Sequence, residues 1–130
     1  MSAYSKTILG DLGTKLVCDS SAGTTEQINV TSGSGILYMV EIDATGGAAT
    51  TAEPGCYLKL INASGGVTGG GGSSSVPDMT LYAPIGKKTT YIISSGWTFD
   101  SGLSFWCVKT AALSGNDSPT ADIKVKLIAT

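Results

Sequence analysis

Glu41 and Asp43, two residues apart at the end of an apolar run, are the nearest this sequence comes to a catalytic pair. On a β-strand they share one face roughly 7 Å apart. Two carboxyl groups are the minimum a glycosidase requires. The same pair at a strand end serves as a solvated edge, and that reading is preferred here. The chain contains no histidine, so the commonest general base is absent, and Ser-His-Asp and Cys-His arrangements are impossible. No Ser-x-x-Lys motif occurs either. Gly86-Lys87-Lys88-Thr89 lacks the marks of a phosphate loop: Leu81 stands where the first glycine belongs, and Lys87 is followed by another lysine. Asp117 and Asp122 are the best oxygen ligands for a calcium ion, but they sit around an ordinary turn, Ser114 to Pro119, without Asp-x-Asp-x-Asp spacing. The expectation is no enzyme, no cofactor and no metal.

Trp97, Phe99 and Trp106 could line a sugar-binding face, although aromatics in an all-β chain more commonly pack the core. Cys18, Cys56 and Cys107 each lie in or beside an apolar stretch and read as reduced core residues. A Cys56–Cys107 bridge stays open as the alternative. The eight basic residues are all lysines, and the formal net charge is -2. Nucleic-acid binders rely on arginine and a basic face, so nucleic acid is not an expected partner. No stretch approaches the roughly 20 apolar residues of a membrane span, and Met1 to Leu12 does not read as a signal peptide.

The elements that would position these groups are strands. Charged residues make up 14% of the chain, against about 25% in an average protein, and Ser, Thr and Gly replace them. Apolar content of 42% suffices for a core. Short β-branched and aromatic runs alternate with turn-forming clusters, and helical spacing is missing. Strands are predicted at Lys15–Asp19, Glu26–Val30, Gly35–Asp43, Cys56–Ile61, Thr80–Ala83, Thr89–Ser94, Leu103–Thr110 and Asp122–Ala129. In the third, Ile36, Tyr38, Val40 and Ile42 share a face; Lys59 marks an outward position on the fourth. The result is an all-β chain, a single antiparallel β-sandwich or jelly roll of about eight short strands. Its predicted core holds Ile36, Tyr38, Val40, Leu58, Leu60, Phe105, Cys107, Val125 and Leu127. Residues 1–13 form an N-terminal arm and 14–130 the β-sandwich domain.

Two segments lie outside the strand pattern. The arm carries Tyr4, Ile8 and Leu9, apolar groups that gain by burial on a neighbour. The loop Gly65 to Ser75, with Val67 and Thr68, can conform to an irregular surface. Tyr4, Ile8, Leu9, Val67 and Thr68 are therefore the candidate interface residues.

From Gly96 the chain reads Gly-Trp-Thr-Phe-Asp-Ser-Gly-Leu-Ser-Phe-Trp-Cys-Val-Lys-Thr-Ala-Ala, then a loop, then Ala-Asp-Ile-Lys-Val-Lys-Leu-Ile. A Gly-x-x-Phe-x-x-Gly-Leu turn leading into an apolar strand, a polar loop and a terminal alternating strand resembles small structural proteins of tailed-phage virions. Ile36 to Asp43, Tyr57-Leu58-Lys59-Leu60 and the Pro84-Ile85-Gly86 turn extend the likeness from about Gly35 to the C-terminus. In that turn Gly102 is expected to adopt a positive φ. The resemblance implies a capsid decoration (cement) protein on the outer surface of the shell. It implies the major capsid protein or other virion proteins as partners, a homo-oligomer (dimer or trimer), and synthesis in the host cytoplasm before incorporation into the virion. The alternative is a carbohydrate- or receptor-binding module of a tail or head fibre.

Overall fold

The computed structural model describes residues 3–7, 15–68, 75–112 and 117–130. Among the described residues eight strands run in chain order: β1 (Tyr4–Thr7), β2 (Lys15–Asp19), β3 (Gly35–Asp43), β4 (Gly55–Asn62), β5 (Met79–Pro84), β6 (Lys88–Phe99), β7 (Leu103–Val108) and β8 (Lys124–Ala129). They form a five-stranded sheet, β1-β2-β8-β3-β6, and a three-stranded sheet, β5-β4-β7, with every pairing antiparallel. The fold is a β-sandwich. Residues 4–7 of the expected arm pair with β2 as a strand, while Ile8 and Leu9 lie outside the described residues.

The inner faces meet in one core that includes Val17, Leu37, Val40, Ile42, Leu58, Leu60, Phe99, Phe105, Cys107, Val125 and Leu127. On β8 the alternation is complete: Val125, Leu127 and Ala129 are buried, whereas Lys124 and Lys126 are exposed. Seven of the nine predicted core residues are buried; Ile36 and Tyr38 are not, and Leu37 takes their place. The cause is a β-bulge. Against β8, Leu37 pairs with Ala129 and Met39 with Ile128, so Tyr38 is an extra residue in the ladder. Against β6, Leu37 pairs with Trp97 and Met39 with Ile92, leaving residues 93–96 opposite Tyr38. The period-2 register thus changes phase at Tyr38 and turns Ile36 and Tyr38 to the outer face.

Gly96 makes this arrangement possible. Its φ is +78°, and a Cβ there would strike Ile36 Cγ2 and stand 3.1 Å from the Tyr38 ring. Gly102, by contrast, is absent from the positive-φ residues. It is required for space: a Cβ would collide with Asn29 Oδ1. The predicted strand Glu26–Val30 reduces to a single bridge between Gln27 and Phe105, because Asn29 turns the chain at φ 50°. Its side chain accepts from Gly33 N, and its own N–H donates to Ser104 Oγ.

Phe105→Ala is expected to cost about 3–5 kcal/mol in denaturant unfolding through lost burial and the cavity left behind. Gly96→Ala is expected to destabilise by more than ~1 kcal/mol, from the left-handed backbone and the collision together.

Candidate interaction surfaces

β7 is buried on both faces. Leu103, Phe105 and Cys107 enter the main core, while Trp106 and Val108 form a second cluster with Val67. Tyr57, Ile61 and Ala63 border that cluster. Val67, expected to offer itself to a partner, is buried in its own chain, whereas Thr68 is exposed. Hydrogen bonds from Ser75 N to Thr68 O (2.9 Å) and from Thr68 N to Ser75 Oγ (3.0 Å) close the stem of this loop.

Lys59 points away from the main core, as predicted, but is not solvated: it is 1% exposed. Its cross-strand neighbour is Trp106, and its Nζ donates to Ala112 O at 2.8 Å. Burial holds its amine below the ordinary lysine range. Trp106 is fully buried, and its indole N–H has no hydrogen-bond partner among the described residues. The absence of charge at Ser104, Trp106 and Val108 was the available signal that this face is covered.

The carboxyl of Asp19 is a second group the sequence did not flag. β2 ends with Asp19 turned inward beside Val125, 2% exposed. One oxygen accepts from Ser21 N at 3.0 Å; Oδ2 has no partner among the described residues. Burial raises its pKa above the usual carboxylate value, against the smaller opposing effect of the Ser21 hydrogen bond. In the same core the Cys56 and Cys107 thiols face each other, and no cysteine is bridged. That contact, then burial and the neighbouring acidic groups, pushes the Cys107 thiol well up, so it stays protonated.

Glu41 and Asp43 lie on the outer face of the five-stranded sheet, opposite Lys126 and Lys124 respectively. Hydrogen bonds from the Thr45 hydroxyl and N–H hold the Asp43 carboxyl low, with help from Lys88 and Lys124. Asp117 pairs with Lys109 at 3.8 Å. Asp122 lines a different feature, an open groove of about 430 Å³ between residues 21–27 and 118–122. Among the described residues no group of three or more acidic or cysteine side chains could hold a metal ion. Of the aromatics considered for sugar binding, Phe99 and Trp106 are buried and Trp97 is half-buried against the core.

The predicted turn after β6 is held by Asn62. Its Nδ2 donates to Asp100 Oδ1 at 2.8 Å, and its Oδ1 accepts from Ser101 N at 2.9 Å. Among the described residues Val76, at 68% exposure, and Ile92, at 69%, are the most open large apolar side chains. Ile92 belongs to an outer face of the five-stranded sheet that no described segment covers with a hydrophobic cluster. The molecule therefore presents a broad sheet face for contact in addition to shallow grooves.

Comparison with protein-family models, curated proteins and solved structures gives no match.

The raised pKa of Asp19 has a definite sign. The native state holds the proton more tightly than the unfolded chain, so stability falls as pH rises above the unfolded value near 3.8 and levels off beyond the native pKa. Asp19→Asn removes the titration. The melting temperature of the variant relative to the wild type is expected to rise from acid towards neutral pH and to flatten below about pH 3.8.

Proposed function

We propose that the chain is a structural protein of a bacteriophage particle, a capsid decoration (cement) protein that sits on the outer surface of the assembled shell. The observation that carries this reading is the exposed sheet face, where apolar Ile92 stands beside Met39 and alternating charges continue along the strands. Contact over a broad face suits a protein that lies on another protein's surface. The residues that resemble tailed-phage structural proteins support the same role. They include the β6–β7 turn, the doubly buried β7 and the terminal β8, the parts that join the two sheets. Low charge and a Ser/Thr/Gly-rich exterior agree with a subunit packed among others. A sugar-binding alternative would call on Trp97, Phe99 and Trp106, and these are committed to packing.

The test is co-sedimentation with phage shells assembled without this protein, run beside a glycan-binding panel. Saturable binding to shells and none to glycans is expected. Binding to glycans with shells ignored would replace the decoration role by that of a fibre module.

A further inference from the structure

The outer face of the five-stranded sheet carries an ordered pattern. Strand register places Ile92, Met39, Ile128 and Leu16 side by side in one row across β6, β3, β8 and β2. The next outward-facing row reads Thr90, Glu41, Lys126, Cys18. Beyond it come Lys88, Asp43 and Lys124. The row between the first two, Tyr91, Val40, Leu127 and Val17, packs into or against the core, which fixes the outward direction of its neighbours.

Reflecting the order of these rows about the line between β3 and β8 exchanges acid for base. Met39 changes places with Ile128, Glu41 with Lys126, and Asp43 with Lys124. Ile92 changes places with Leu16. A two-fold axis lying in the plane of contact, parallel to the strands and between β3 and β8, performs this exchange. From this self-complementarity we infer that the face binds a second copy of the same chain. Glu41 of each copy lies on Lys126 of the other, Asp43 lies on Lys124, and the apolar rows stack. An isologous contact of this kind closes on itself as a dimer, and the two sheets stack with their strands within about 30° of each other.

Inside one chain, no ion pair within 4 Å joins Glu41 to Lys126 or Asp43 to Lys124. Four strands ~4.8 Å apart and about seven residues along each at ~3.3 Å give a patch of roughly 19 by 23 Å. That is smaller than the ~800 Å² per partner of a standard interface, so the dimer is reversible and concentration-dependent, with the charge rows setting its orientation. The inference does not depend on the decoration role, but it draws on the same face: a copy paired through it cannot at the same time lay that face on a shell, so the two contacts compete and the dimer must open before the face is used elsewhere.

Sedimentation velocity of the full chain over a concentration series tests it without any shell. A monomer–dimer equilibrium that weakens with added salt is expected. Ile92→Glu changes a side chain that is 69% exposed, so its melting temperature should hold while the dimer is lost. Glu41→Lys and Lys126→Glu each set like charges face to face and should weaken association at least ~tenfold. The double variant E41K/K126E restores opposite charges and should recover it. A monomer at every soluble concentration overturns the inference. So does a dimer insensitive to Ile92→Glu, which would place the contact elsewhere, on the 1–13 segment or the 65–75 loop. Failure of the double variant to recover would refute the two-fold arrangement.

Discussion

Tyr38 and the four residues opposite it set which side chains of β3 face which way. Before the bulge Leu37 is the inward residue; after it Val40 and Ile42 are. A regular strand would have continued one alternation, and Met39, Glu41 and Asp43 would then share Leu37's face. Two carboxylates would enter an apolar core at a cost of several kcal/mol each in desolvation. Instead the core receives three branched aliphatic residues, and the outer face receives a row of apolar groups followed by alternating charges. The buried core and the exposed pattern are two results of one inserted residue, and both require that Gly96 lack a side chain.

This explains what was legible in the sequence. β8 shows lysines alternating with aliphatics, so its phase could be read from polarity alone. β5, β4 and β7 likewise fall where the apolar runs and turn residues put them. In β3 Leu37, Tyr38 and Met39 are all apolar, so polarity gave no sign of a phase change. The deciding contact comes from Gly96, 58 positions along the chain from Tyr38. The strand expected at Glu26–Val30 failed for a related reason: its residues suit a strand, but Asn29 bonds Gly33 and Ser104 in a turn.

The candidate surfaces were legible only in part. Lys59 was read correctly as pointing out of the main core, but a charged residue normally signals water, and here it signals a covered second face. Its neighbours carried the better information, since Ser104, Trp106 and Val108 place no charge on that side of β7. Val67 is the one aliphatic residue in the glycine-rich loop Gly65 to Ser75, and its place there reads as an interface contact. That isolation is explained by its packing on Trp106, which uses it within the chain. Asp19 gave no signal at all, because one acid at a strand end normally faces water. Its burial follows from the register with Val125, which only the assembled sheet defines.

β6 ends the five-stranded sheet. A terminal strand of twelve residues with regular spacing would offer its unused backbone groups to any other extended chain, the usual starting point of amyloid-like growth. Residues 93–96 spoil that template. Their departure from the ladder divides the strand into two short runs whose amides are out of step, and Lys88 places a charge at one end. The same irregularity that sorts the side chains of β3 therefore also makes this edge a poor template for an added strand.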